Sequence, residues 1–159
     1  MIVVADSSPL IALARIGRLE LLHELFGLLL VPEAVWQELT AVDDGRAGVA
    51  ELMKAAWLER RGVQDQSLVS LLRQNLGAGE SEAIVLARES GADVLLMDES
   101  LGRAAAKRLG LPVTGLVGVL IEARERGLLA DASDLIRQLR EQAGFWISDA
   151  LAALVENAE

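Results

Sequence analysis

The chain has 159 residues, 52% of them hydrophobic, and a formal charge of −9 from 15 basic and 24 acidic side chains, with no Cys and one His. That size and apolar content suit a single domain over residues 1–159 with a full core, while the absence of Cys excludes disulfides and thiolate zinc sites. The longest uncharged stretch, Leu109 to Ile121, is 13 residues and holds Pro112 and three glycines, which excludes a membrane helix of roughly 18 apolar residues.

Met1 to Leu10 carries no basic residue ahead of its apolar segment and meets Asp6 early, which argues against a secretory signal and for a cytoplasmic protein. Ile2 to Ala5 is a short β-branched run suited to a strand buried on both faces, and Asp6 ends it. Ser7-Ser8-Pro9 predicts a helix start with Ser8 as cap and Pro9 in first position, running to a stop at Gly17. Arg18 to Phe26 repeats Leu19, Leu22, Leu25 and Phe26 as one apolar helical stripe, a candidate dimer surface. Leu28 to Val31 predicts a strand, and Pro32 opens a helix with Val35, Trp36 and Leu39, on which Glu38 lies on much the same side as Val35. Asp43-Asp44-Gly45-Arg46 predicts a charged loop, followed by a helix over Val49 to Ala56 and an edge strand around Trp57 to Val63.

Ser67 to Leu76 predicts a helix, Gly77-Ala78-Gly79 a break, and Glu80 to Ser90 a second helix closed by Gly91. Asp93 to Met97 reads as a strand ending at Asp98, and Leu101 to Leu109 as a helix closed by Gly110. Leu111 to Thr114 gives a short strand, Leu116 to Arg126 a helix, and the segments Asp131 to Ala143 and Ser148 to Asn157 two more helices around Phe145-Trp146-Ile147. Strands alternating with helices imply right-handed crossovers and a parallel sheet covered on both sides, hence an α/β/α domain.

Within that frame Asp6 and Asp98 each follow a run apolar enough for a central strand, which puts both at the carboxyl edge where open α/β sheets bind ligands. Glu38 has only its helical placement in its favour. Glu80 and Glu82 lie in the first turn of a helix, where the dipole favours negative charge, and their spacing sends them to different faces, so at most one should face a ligand. Clustered carboxylates repel, and a hard divalent cation, Mg²⁺ or Mn²⁺, relieves that repulsion and activates water against a phosphodiester. Ser7 and Ser8 lack a sequence-evident base, and His23 falls in the leucine helix, away from any catalytic pattern. The charge of −9 argues against a general grip on nucleic acid; Arg103, Lys107 and Arg108 are either a local basic patch able to steer a polyanion or a solvated helix face.

At these residues the chain resembles the PIN-domain family, in particular the small single-domain proteins akin to VapC-type toxin ribonucleases. The anchors are Ile2-Val3-Val4-Ala5-Asp6-Ser7-Ser8-Pro9-Leu10, Val31-Pro32-Glu33-Ala34-Val35-Trp36-Gln37-Glu38, Gly79-Glu80-Ser81-Glu82-Ala83-Ile84 and Leu95-Leu96-Met97-Asp98-Glu99-Ser100, four in the right order. The resemblance implies a three-layer α/β/α fold with a central parallel sheet of about five strands. It also implies a metal-dependent endoribonuclease that cuts single-stranded RNA, the toxin of a toxin–antitoxin pair, as a homodimer with an antitoxin partner.

By this resemblance Asp6, Glu38 and Asp98 match the family's metal-binding acids and Glu82 the acid at a helix start, the four forming the expected catalytic and Mg²⁺ or Mn²⁺ set. Ser7 matches the hydroxyl residue after the first acid, and with Arg103 and Lys107 it is a candidate for contact with RNA. The chain departs from the pattern at Ser100, where many members carry a further acid, and Glu80 or Glu99 would substitute, which leaves the number of cations open. Aromatic residues are 3% of the chain with no Tyr, so base stacking has few candidates, and Trp36, Trp57 and Trp146 are assigned to core or interface.

Two readings compete. One is a catalytically silent PIN-like fold that binds protein. The other is a receiver-like signalling domain, against which stand the single acid at Asp6 and the lack of a Lys at a strand end. An Asp-x-Asp phosphatase is excluded by Ser8, and a Walker site by the absence of Gly-Lys-Ser/Thr.

Overall fold

The structure, a computed structural model, describes residues 1–42 and 49–157. The charged loop expected at Asp43 to Arg46 lies outside the described residues. Five strands and ten helices follow one another among the described residues. They are β1 (Val3–Ala5), α1 (Ser7–Arg15), α2 (Glu20–Phe26), β2 (Leu29–Pro32), α3 (Glu33–Ala41), α4 (Val49–Lys54) and β3 (Leu58–Arg61). After them come α5 (Gln66–Leu72), α6 (Ala78–Ser90), β4 (Val94–Leu96), α7 (Ser100–Arg108), β5 (Val113–Thr114), α8 (Leu116–Glu125), α9 (Ala132–Glu141) and α10 (Asp149–Glu156). No described helix is long and apolar enough to cross a membrane.

The strands form one parallel sheet in the order β3-β2-β1-β4-β5, flanked by helices as the three-layer α/β/α expectation requires. β1 is fully buried, as a β-branched run between two neighbours must be when helices cover both faces. It pairs Val3 with Val94, Val4 with Leu95 and Ala5 with Leu96, and the Asp6 N–H extends the ladder to the Leu96 carbonyl at 2.9 Å. The chain leaves β1 toward β2 on one side, and β4 lies on the other. The β1/β4 boundary is therefore the topological switch point, where loops diverge and open a crevice.

Three local expectations are corrected. Ser8 does not cap α1: Asp6 is the N-cap residue, Ser7 and Ser8 lie within the first turn, and Pro9 sits where a missing N–H leaves no helical bond unmade. The break between the two helices falls earlier than Gly77-Ala78-Gly79: α5 ends at Leu72, extended Gly77 is the N-cap of α6, and Ala78 and Gly79 already lie in its first turn, secured by Ser81, whose Oγ donates to the Gly77 carbonyl at 2.8 Å. The cost of about 1 kcal/mol for Gly inside a helix is offset because the small residue lets α6 lie directly against α3. The leucine stripe of α2 is not a free dimer surface either. Leu19, Leu22, Leu25 and Phe26 are all buried in the chain's own core, because α2 packs inward and spends its one apolar face there.

Candidate active site at the carboxyl edge of the sheet

Asp6 and Asp98 leave adjacent parallel strands at the same edge. Asp6 is 2% exposed. With Ser81 it makes up the buried polar side chains among the described residues, and its Oδ1 is buried with no hydrogen-bond partner. Asp98 accepts the Leu116 N–H through Oδ1 at 2.8 Å, while its Oδ2 is also buried and unpartnered. This approach depends on Gly115, the N-cap of α8, since a Cβ there would lie 2.7 Å from Asp98 Oδ1 and 2.8 Å from Arg103 Nη1. Two strand ends thus each present one desolvated carboxylate oxygen, an arrangement that costs free energy unless a ligand completes it.

Glu38 reaches the same edge from α3. Its Oε2 accepts the Ser7 hydroxyl at 2.6 Å and its Oε1 the Gly79 N–H at 3.2 Å, so one carboxylate ties α1, α3 and α6 together. Glu80, on the first turn of α6, folds back toward the N–H of Gly77 and lies against Gly102 of α7, where an added Cβ would stand 3.0 Å from Glu80 Oε2. Glu99 stands at the N-cap position of α7, with no side-chain capping bond, near Asp98 and Glu80.

The electrostatics follow from this gathering. Burial pushes the Asp6 carboxyl up from 3.8 to about 7, reinforced by the negative charges of Glu38, Glu80 and Asp98 and only partly offset by the Ser7 N–H. Asp98 is raised above its ordinary value by burial and by Glu99, against the opposing pull of the Leu116 N–H and Arg103. Glu80 is raised by burial and then by Glu99 and Glu38, against the Gly77 N–H. Each group resists carrying its charge, which is the condition a cation relieves.

Of the expected residues, Asp6, Glu38 and Asp98 converge on this edge with Ser7. Glu82 does not join them. Its Oε1 accepts the Ala34 N–H at 3.1 Å, capping α3, whose own N-cap Pro32 offers no side-chain acceptor. Glu80 lies against α7 on the side of Asp6, where Glu82, on another face of α6, meets α3. Arg103 lies at the site, donating to the Met97 carbonyl at 3.1 Å beside Asp98, whereas Lys107, a turn further along α7, is exposed. Ser7 faces Glu38 and spends its hydroxyl there.

Sequence reading missed Gly79 and Gly115: Gly79 had only its place beside Glu80 as a signal, and Gly115, inside the uncharged stretch from Leu109 to Ile121, had none. His23 stacks on Trp57 at 5.2 Å and bonds Gly27 rather than any acid. Trp57 is buried and Trp36 half-buried, as assigned, but Trp146 is 80% exposed and so outside the core.

The donors at this edge are all oxygens, two of them orphaned, which fits a hard divalent cation such as Mg²⁺ or Mn²⁺ rather than a soft metal. Among the described residues no three acidic or imidazole side chains stand close enough to grip an ion as they are, so holding a cation here would require neighbouring carboxylates to rotate toward the two aspartates. A family model, DUF3368, described as a PIN domain, matches residues 2–157. A comparison with curated proteins gave no match.

Proposed function

Because the chain belongs to the PIN-domain family, whose members have a nuclease-type fold, we propose that it is a metal-dependent endoribonuclease that cleaves single-stranded RNA. The observation that carries this reading is the pair of buried, unpartnered oxygens, Asp6 Oδ1 and Asp98 Oδ2, on neighbouring strand ends. Asp6 and Asp98 would hold Mg²⁺ or Mn²⁺, with Glu80 and Glu99 completing the set and Glu38 fixed beside them by Ser7 and Gly79. Once bound, such a cation supplies a polarised water and charge stabilisation for phosphodiester hydrolysis. Arg103, held at the Met97 carbonyl, offers a guanidinium to the phosphate, and Lys107 adds positive charge along the same helix.

The acidic balance of −9 supports a basic protein partner, an antitoxin, covering the edge, and a homodimer in the cytoplasm completes the proposal. The test is cleavage of single-stranded RNA with Mn²⁺ by wild type, Asp6→Asn and Asp98→Asn, with folding checked by circular dichroism. Loss of cleavage in both variants is the expected result, and equal cleavage by all three proteins overturns it. A second reading, a catalytically silent fold that binds protein, draws on the spread of the acids. It predicts no change in melting on addition of Mn²⁺.

A further inference from the structure

Leu101 on α7 is 68% exposed and Leu71 on α5 is 59% exposed. They flank a cavity of about 360 Å³ lined also by Leu76, Ala104, Ala105 and Arg108. Residues 101, 104, 105 and 108 recur at helical spacing, so a single face of α7 forms one wall of this groove. An apolar groove flanked by such side chains marks an interaction surface. The two ends of α7 carry opposite charges. Glu99 stands at its N-cap, near Asp98 and Glu80, and Gly102 in its first turn lies against Glu80, so this end of the helix is continuous with the carboxylate edge. Its last turn carries Lys107 and Arg108, both exposed. Among the described residues neither of these side chains has a hydrogen-bond or ion-pair partner, and Glu99 is likewise exposed without an ion pair.

We propose that the α5/α7 face is the surface through which two copies of this chain pair, with α7 packed antiparallel on its counterpart about a two-fold axis between Ala104 and Ala105. The inference rests on the homodimer of the proposed ribonuclease and names the surface that forms it. In this register Leu101 of each copy lies opposite Arg108 of the other, because both stand about three and a half residues, roughly 5 Å, from the axis. The small side chains at the axis let the two helices approach closely. Leu101 and Leu71 of one copy then cover the groove of the other, and Arg108 reaches toward Glu99 of the second copy, two residues before Leu101. The contact occurs twice, as a two-fold interface requires. Each carboxylate edge thereby gains a guanidinium from the second copy, positive charge where a phosphate would approach. A second copy matches both ends of α7 at once. An acidic protein would meet the cations and be repelled by the carboxylates, and a nucleic acid finds no aromatic ring among the described residues lining the groove on which to stack a base. Exposed apolar residues elsewhere are less well matched to a copy of themselves, because Arg140 beside Trp146 pairs with Asp149, and Arg61 beside Met1 and Leu28 pairs with Glu59.

Sedimentation velocity in EDTA, over micromolar concentrations, measures the dimer dissociation constant of wild type, Leu101→Glu, Arg108→Glu, Glu99→Arg and the double variant that carries both charge reversals. Because Leu101, Arg108 and Glu99 are exposed, these variants keep the core intact, and circular dichroism checks that they do. Wild type is expected to dimerise, and Leu101→Glu to weaken the dimer by more than about tenfold. Each charge reversal should weaken it by about tenfold, and the double variant should recover most of that loss. A monomeric wild type overturns the interface. So does a dimer that Leu101→Glu leaves unchanged, or a double variant no tighter than the single ones. Failure of the ribonuclease reading itself shows differently, as equal RNA cleavage by wild type and Asp6→Asn while the dimer and its dependence on Leu101 persist.

Discussion

Residue 79 can be nothing but glycine without displacing Glu38: a Cβ there would stand 2.7 Å from Glu38 Oε2, on the same carboxylate that accepts the Gly79 N–H at 3.2 Å. The atom that must yield is the end of a flexible side chain, so the helix survives and the carboxylate moves. Gly79→Ala is therefore expected to change stability by no more than about 1 kcal/mol, since Ala favours the helix by a similar amount. It should lower Mn²⁺ affinity by about 10- to 100-fold, as loss of an orienting group around a metal site does. Urea melts and calorimetric Mn²⁺ titration measure the two effects. An unchanged Mn²⁺ affinity would show that Glu38 plays no part in holding the site.

Protonation of Asp6 couples folding to pH. Its carboxyl is raised from 3.8 to about 7 in the fold, so the folded protein retains a proton that the unfolded chain releases between these values. Stability contributed by this group is full at or below about pH 4, falls as pH rises, and is wholly lost above about pH 7. Asp6→Asn stays neutral throughout. The metal-free variant should therefore gain on wild type as pH rises, up to on the order of 4 kcal/mol at pH 8, from 1.36 kcal/mol for each pKa unit. Urea melts of both proteins in EDTA at about pH 4.5, 6 and 8 would show it, and a constant difference would refute the raised value.

Divalent cations should reverse that penalty. At roughly 100 times its dissociation constant, Mn²⁺ is expected to stabilise wild type by about 2.7 kcal/mol. The gain should be larger at pH 8 than at pH 6, because Asp6 must release its proton to bind. Thermal melts of wild type and Asp98→Asn with and without Mn²⁺ check this, and an equal response in the variant would remove Asp98 from the site.

Glu80 and Glu82 separate by role. Glu82→Ala removes the acceptor of the Ala34 N–H and is expected to cost about 1 kcal/mol, the usual loss for a helix cap, while RNA cleavage is retained. Glu80→Ala is expected to lower Mn²⁺ affinity about 10- to 100-fold, with no loss of stability in EDTA, since it relieves repulsion at Asp6. Cleavage assays and melts on the two variants distinguish the outcomes. Cleavage lost in Glu82→Ala and kept in Glu80→Ala would restore the assignment made from the sequence.

The sheet was legible because it rests on local patterns. Ile2 to Ala5 and Asp93 to Met97 are apolar runs that read as buried strands before any contact is known, and the alternation with helices makes them parallel. Once β1 and β4 are parallel neighbours, Asp6 and Asp98 have to emerge together. The low-contrast edge strand β3, with Glu59, Arg60 and Arg61 facing outward, was legible only from its flanking turns. Ser8 was misplaced as a cap because capping propensity is shared by Asp6, Ser7 and Ser8, and the choice among them falls to how β1 hands the chain to α1.

From its sequence alone this chain determined a covered parallel sheet, an acidic carboxyl edge at Asp6 and Asp98, and a leucine-rich stripe that had to be buried somewhere. Periodicity and strand-end position are properties of short segments, and they survive whatever the rest of the molecule does. Only the tertiary structure decided that the stripe turns inward, that Glu80 rather than Glu82 lies on the side of Asp6, and that Trp146 stands in solvent. Those outcomes depend on how one helix is rotated against another. For α3 and α6 that rotation rests on contacts between residues 41 and 48 positions apart, Glu38 with Gly79 and Ala34 with Glu82, and no local pattern encodes them.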